Sequence, residues 1–312
     1  MSSPLPSAAE IARRKQSLNS KINNEAKRRG VPANSVRYQF VFQVFLRRVF
    51  KNPADTAWSL RGGTSLLLRT GGGRFTQDID LARAADWASV EDVREELRQV
   101  CEVDLNDHFQ FELVSVKETR EDSTAYGRAT LRAVVKCLLG LKEFQRFSVD
   151  ISPGRHTQTP AEIIEVKPVI KLEDGPEEPF AIRVTPIESH LADKVCALYE
   201  DYGVNSNTRY RDLADIVRII MHESFSAERL LDTLYHESHR RGVTLPKLLH
   251  PPHSKWEEEY HEHAQGFFEF PKEYATLDAS LDYSNNCLAA VLDQSIDQRL
   301  SWDPIKQEWH ME

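Results

Sequence analysis

Long apolar runs are missing from this 312-residue chain. No stretch approaches the roughly 18 consecutive apolar residues that a membrane span needs, so no crossing of a bilayer is expected. The opening residues, MSSPLPSAAEIARRKQ, lack the apolar core of a secretory signal, and the expected location is cytoplasmic. Cysteine is scarce: Cys101, Cys137, Cys196 and Cys287 lie far apart and form no CxxC pair, which excludes an obvious disulfide framework or zinc cluster and leaves reduced core residues. GxxxxGKS/T and GxGxxG are absent, so this is neither a P-loop protein nor a dinucleotide-binding fold of the fingerprint kind. No GxSxG elbow supports a serine hydrolase. His250, His253, His261 and His263 show no HExxH or regular ligand spacing and read as surface histidines.

What is present is an ordinary globular composition, 40% hydrophobic and 28% charged, enough for one large domain or two lobes. The net charge of −8 hides an asymmetry, because residues 1–51 hold 11 Lys/Arg against 2 Asp/Glu. Clustered cations suit a polyanion partner, since they release counterions from phosphates. A solvated basic helix face would give the same pattern.

Ser7 to Arg29 reads as a polar helix ended by Gly30, with Pro32 discouraging continuation. In the next helix Tyr38, Val41, Phe42, Phe45, Leu46 and Val49 recur at helical spacing. Arg37, Gln39, Gln43, Arg47 and Arg48 mostly leave that stripe, predicting one packed and one charged face. Strand-like segments follow at AWSLRG, DIDLA, FQFELVSV, ATLRAVVKCLLGL and RFSVDIS, with a helix from Val90 to Val100 among them. EDGPEEP, near Asp174, reads as a charged connector, and beyond RVTPIES the pattern turns almost wholly helical. The expected fold class is α+β: a first lobe over residues 1–183, including a basic helical arm over 1–51, then a helical C-terminal lobe over 184–312.

One stretch calls for chemistry rather than packing: RGGTSLLLRTGGGRFTQDIDLA, residues 61–82. In a β-prone segment side chains alternate, so Asp78 and Asp80 share one face while Ile79 and Leu81 enter the other. Two carboxylates that close repel, and a hard divalent cation is the usual functional compensation. An outward-facing polar strand end is the plainer alternative. Gly62, Gly63, Thr64 and Ser65 precede a short helix, Leu66 to Arg69, so that N–H groups and hydroxyls at a helix start are placed to cradle phosphate oxygens.

GGTSLLLRTGGGRFTQDIDL, together with ESHLADKVCALYEDYG and RYRDLADIV, resembles the AbiEii/AbiGii toxin family, which includes the MenT nucleotidyltransferases. The resemblance covers roughly residues 38–220 and is specific in three blocks: GGT followed by RFTxDIDL, the lysine of LADK, and RDLxDI. It implies a polymerase-β-like nucleotidyltransferase lobe with a mixed sheet, Mg²⁺- or Mn²⁺-dependent use of a nucleoside triphosphate, and a role as the toxin of a toxin–antitoxin pair in abortive phage defence. Several members add nucleotides to tRNA 3′ ends, which implies an RNA acceptor and a cognate antitoxin as partners. By the same resemblance Gly63, Thr64 and Ser65 match the phosphate turn, Asp78 and Asp80 the metal ligands, Arg74 and Thr76 the lead-in with Arg74 steadying phosphates, and Lys194 and Asp212 the remaining functional positions. Arg209 and Arg211 stand where many relatives carry Lys, which leaves their roles open.

Helical geometry bears separately on the later motifs. Ile187, Leu191, Lys194 and Leu198 share one helix face, so Lys194 sits in an apolar stripe and should meet acidic groups or an anionic ligand, unless it snorkels to the edge. In RDLADIVRII the stripe is Leu213, Ile216, Val217 and Ile220. Asp212 lies at its edge and Asp215 further out, so Asp212 is the expected partner of Lys194, or else a carboxylate placed by the helix dipole. In RFSVDIS, Asp150 faces away from Phe147, Val149 and Ile151. It is placed as a third metal ligand or a general base, or as an ordinary solvent-facing residue. Two other functions fit parts of the pattern: a glycosyltransferase holding a sugar nucleotide through DxD and metal, and a non-catalytic module that binds RNA or an antitoxin.

Overall fold

The computed structural model describes residues 7–72, 75–84, 87–119, 130–153, 160–171, 178–201, 207–265, 267 and 269–311. The first helix, α1 (Ala8–Arg29), starts with a reciprocal cap: the Ser7 hydroxyl accepts the Glu10 amide and the Glu10 carboxylate accepts the Ser7 amide. It stops at Gly30, whose φ of 66° suits glycine. α1 is not a loose arm, because Leu18, Ile22 and Ala26 are buried against the rest of the molecule.

The second helix, α2 (Ala33–Val49), departs from the one-sided expectation, since Gln39, Gln43 and Arg48 are buried along with its apolar stripe. Arg48 donates to both carboxylate oxygens of Asp107, at 2.7 and 3.0 Å, and to the Phe109 carbonyl at 2.8 Å. A buried charge is tolerated when it is paired and hydrogen-bonded in this way. The partner lies 59 residues away, which periodicity within one helix does not register.

β1 (Trp58–Arg61), α3 (Gly62–Thr70), β2 (Asp78–Arg83), α4 (Val90–Glu102), β3 (Phe109–Thr119), β4 (Thr130–Leu139), β5 (Lys142–Pro153), β6 (Glu162–Val166) and β7 (Phe180–Val184) follow. The strands form one mixed sheet in the order β3-β4-β5-β2-β1-β7-β6. β2 runs parallel to β5 and antiparallel to β1, and β1 runs parallel to β7. β6 and β7 lie beyond the expected strands; they are only five residues each, too short for a distinct alternation. The expected connector EDGPEEP lies largely outside the described residues, at 172–177.

α5 (Ile187–Tyr199), α6 (Tyr210–His222), α7 (Ala227–Arg241), α8 (Trp256–Gln265) and α9 (Leu277–Leu292) make the later part predominantly helical. It is not wholly so: β8 (Phe225–Ser226), β9 (Leu300–Asp303) and β10 (Glu308–Met311) form a second, three-stranded sheet.

Buried side chains fall into two clusters. One joins Ile79, Leu81, Phe147, Val149 and Ile151 of the large sheet to α1, α2 and α4. The other gathers α5 to α9 and the small sheet around Trp256 and Trp302. α3 contributes to both, Leu68 to the first and Leu66 to the second. Because strand residues alternate, this packing leaves Asp78, Asp80, Asp150 and Ser152 on the opposite face of β2 and β5. All four cysteines are buried and free.

Candidate active site

The chain passes from β1 into α3 at Gly62, where φ is +66°. A Cβ built at this position would lie 2.0 Å from Asp80 Oδ2 and 2.5 Å from its Cγ. Two requirements therefore fix glycine here: the left-handed backbone and the carboxylate that occupies the space of a side chain. Asp80 reaches it because β1 and β2 pair with Arg61 opposite Asp80. The pair of acidic strand residues thus faces the glycine turn.

Gly62, Gly63, Thr64 and Ser65 form the first turn of α3, whose N-cap position, Arg61, makes no side-chain capping bond. The first N–H groups of a helix have no partner within it, and the helix dipole favours an anion there. The hydroxyls are placed differently from the N–H groups. Thr64 is fully buried and donates to the Asp78 carbonyl at 2.8 Å, and Ser65 is likewise buried. Thr64 thereby holds the start of β2 in place. Thr76 completes that support by donating to Asp78 Oδ1.

Burial raises the Asp80 pKa to about 6; the neighbouring Asp78 and Asp150 charges push the same way, and Arg61 and Lys194 oppose them. Arg61 also donates to the Ser152 hydroxyl at 3.1 Å, which ties β1 across to β5. Asp150 stands in register with Asp80 across β2 and β5. Its two oxygens accept from Arg132 Nε and one terminal nitrogen, both at 2.6 Å, in a cross-strand pair. Among the described residues no group of three or more His, Cys, Asp or Glu is arranged to hold a metal ion. Asp78 and Asp80 nevertheless suit one: they supply hard oxygen donors, and the burial and Asp78 charge that raise Asp80 penalise an ionised carboxylate in a way a bound cation relieves.

Lys194 is buried on α5 and reaches two carboxylates of α6, Asp212 at 2.9 Å and Asp215 at 2.7 Å. Asp215 had been expected to lie further out. It is instead the more buried of the two, with a side chain 6% exposed against 13% for Asp212. The two are i,i+3 neighbours on one face, and a long lysine spans both. Arg209, half exposed, approaches Asp212 at 3.7 Å, and Arg211 is exposed. One turn before Lys194, His190 is buried with its Nε2 unpartnered in the described structure. Burial, then the charges of Arg69, Lys194 and Arg61, hold its pKa well below the usual imidazole value, so it is neutral.

The structure therefore brings together Gly62, Gly63, Asp78, Asp80 and Asp150 around the α3 start, with Lys194 close enough to act on the Asp80 charge. Arg74 lies outside the described residues. Arg61, Arg132 and His190 were not singled out from sequence, and Asp215 was set aside there as the outer of the two aspartates. For Arg61 the signal was present, since Trp58 and Leu60 alternate inward and leave Ser59 and Arg61 on the Asp80 face. His253 Nε2 and His261 Nδ1 donate to the carbonyls of Asn207 and Ala275, and His263 stacks on Tyr210.

A family model described as nucleotidyl transferase AbiEii toxin, type IV TA system, matches residues 44–284. Among solved structures the chain is similar to a Helicobacter pylori protein provisionally assigned as a nucleotidyltransferase, at 19% identity and a TM-score of 0.40, covering 83% of this chain and 88% of that one. It is also similar to JHP933 from Helicobacter pylori, at 18% identity and a TM-score of 0.39, covering 83% and 85%. No curated protein matches.

Proposed function

We infer that this chain, which belongs to the AbiEii nucleotidyl transferase toxin family of type IV toxin–antitoxin systems, transfers a nucleoside monophosphate from a nucleoside triphosphate to an RNA 3′ hydroxyl. The tRNA 3′ end is the preferred acceptor, a cognate antitoxin the regulatory partner, the cytoplasm the setting and abortive phage defence the occasion. The observation that carries this assignment is the seating of the Asp80 carboxylate in the gap left by Gly62, at the start of α3 and beside Asp78.

In the proposed reaction the N–H groups of Gly62, Gly63 and Thr64 bind terminal phosphate oxygens of the donor. The acceptor oxygen forms a bond to the α-phosphorus, the bond from that phosphorus to the α–β bridging oxygen breaks, and pyrophosphate leaves with the electron pair. Asp78 and Asp80 would hold a divalent cation of the Mg²⁺ or Mn²⁺ type, which when bound neutralises triphosphate charge and polarises the reacting phosphoryl group. Lys194, oriented by Asp212 and Asp215, places positive charge near the carboxylate face and offsets charge on the departing pyrophosphate. Asp150 receives the hydroxyl proton, and Arg132, released from it, turns to the donor phosphates. The protein contributes positioning and fixed charge rather than covalent chemistry.

Incubation with each labelled nucleoside triphosphate, Mg²⁺ and total cellular RNA tests this directly. RNA labelling by the wild type and none by Asp80→Ala is the expected result. No incorporation from any nucleoside triphosphate, or undiminished labelling by the variant, removes the assignment; turnover of a sugar nucleotide in the same panel replaces it with glycosyl transfer.

A further inference from the structure

A cavity of about 880 Å³ opens at the far end of α3 from the Gly62 turn, and Asp78 and Asp80 take no part in it. Its walls come from α1, α2, the last turn of α3 and the segment after β6. Among the described residues six cations line it, Lys21, Arg28, Arg29, Arg69, Lys167 and Lys171, against two carboxylates, Glu25 and Glu165. That is a local excess of positive charge in a chain whose net charge is −8.

Not all of this charge is available to a ligand. Arg69 is tied to Glu162 and Glu223, Arg29 to Glu269, and Arg28 to Glu25. Lys167 and Lys171 are exposed and have no carboxylate partner among the described residues. Their backbone is held still nevertheless. Gln43 donates to the Lys167 carbonyl at 3.0 Å and accepts the Val169 amide at 2.8 Å, while Lys21 donates to the Lys171 carbonyl at 2.9 Å. On α1, Lys21, Asn24 and Arg28 follow at i, i+3 and i+7, so the helix turns one polar face to the cavity.

We propose that this cavity holds the sugar-phosphate backbone of structured RNA. Exposed ammonium groups carried on a hydrogen-bonded backbone suit phosphates. Among the described residues no Phe, Tyr, Trp or His lines the walls, so unstacked bases meet no ring there to stack on, which favours a paired stem over a single strand. A protein partner would need a buried apolar or aromatic anchor at the centre, and among the described residues the walls supply Leu68, Pro168, Val169 and Ile170. The nine residues of α3 separate the cavity from the Gly62 turn by roughly 13 Å, about four phosphate steps of one strand. A stem held here therefore has its 3′ end within reach of Asp80. That consequence rests on the transfer proposed above; the binding itself does not.

The test is fluorescence anisotropy of the full chain with a labelled hairpin RNA carrying a single-stranded 3′ end, over a salt series. Lys167→Glu with Lys171→Glu is expected to weaken binding by about tenfold or more and to flatten the log–log salt slope by about 2. Lys247→Glu with Lys255→Glu, the same charge change on the helical part, is expected to leave both unchanged. The Gln pair, Lys167→Gln with Lys171→Gln, should show a smaller loss in the same direction, with thermal melting confirming that every variant folds. Unchanged hairpin affinity in the cavity variants overturns the proposal, and so does an equal loss in the control pair, which would mark net charge alone. Loss of binding to an acidic peptide with hairpin binding intact also overturns it and makes the cavity a protein dock. Anisotropy needs no catalysis, so hairpin binding without incorporation would count against the transferase assignment alone.

Discussion

The Asp80 carboxylate fills the volume that a side chain at Gly62 would need, 2.0 Å from an added Cβ to Oδ2. Gly62→Ala should therefore displace Asp80 and lower transfer by at least about 100-fold if that carboxylate belongs to the reacting centre. Gly30 provides the control. It shares a φ of +66°, but an added Cβ there meets nothing within 4 Å. Both alanine variants carry a left-handed backbone penalty of about 1–2 kcal/mol, so both should melt earlier. Only Gly62→Ala should lose labelling; equal activity in the two would make the contact incidental.

Asp80→Asn should stabilise the metal-free protein while abolishing transfer. Burial, reinforced by Asp78, raises the Asp80 pKa from 3.8 to about 6. A carboxyl that holds its proton more tightly when folded adds stability that is complete below its unfolded pKa, and that stability is lost as pH rises toward 6. At pH 7 the ionised group is a cost, on the order of 1 kcal/mol once its partial exposure is discounted. In chelator-treated buffer the variant should therefore melt above the wild type at pH 7 and show a shallower fall between pH 4 and 6. Added Mg²⁺ should raise the wild-type melting point and leave the variant nearly unmoved, since only a site that binds the ion gains from it. A variant that melts lower at pH 7 contradicts the repulsion argument.

The Lys194 cluster predicts an unequal set of losses. Lys194→Met leaves Asp212 and Asp215 facing each other in the interior and should cost about 3–5 kcal/mol in urea denaturation. Asp212→Asn or Asp215→Asn leaves the lysine one carboxylate and should cost about 1–2 kcal/mol each. All three should reduce transfer. A Lys194→Met protein as stable as the wild type would show that the ammonium reaches water rather than the two aspartates.

Much of this site was legible where one local rule decided the outcome. Alternation in DIDL put Ile79 and Leu81 into the core and both aspartates on the other face, and helical spacing put Lys194 in a buried stripe. What escaped were partners chosen across the fold. Asp215 lies within reach of Lys194 only because α5 and α6 pack side by side, and Arg48 is buried only because Asp107 comes to meet it. The small sheet of β8, β9 and β10 was missed for the same reason: two-residue and four-residue strands have no periodicity to read. The hydroxyl of Thr64 is another case, since its bond to the Asp78 carbonyl depends on how α3 meets β2.

Arg132 and Asp150 decide whether the third carboxylate on this face takes part in the reaction or only ties β4 to β5. Their pairing is bidentate at 2.6 Å, but the arginine side chain is 50% exposed and the aspartate 29%. A cross-strand pair that open contributes about 0.2–1 kcal/mol, so Arg132→Ala should barely move the melting point. If Arg132 leaves Asp150 for the donor phosphates, the same variant should raise KM for the nucleoside triphosphate several-fold with kcat little changed. Asp150→Asn should do the reverse, lowering kcat with KM held, because it removes the proton acceptor and leaves Arg132 free to bind phosphate. A purely structural pair moves neither constant in either variant. The double variant, Arg132→Ala with Asp150→Asn, then separates direct from indirect action: losses that multiply place the two groups in different steps, whereas a double variant no worse than Asp150→Asn means that Arg132 acts only by orienting that carboxylate.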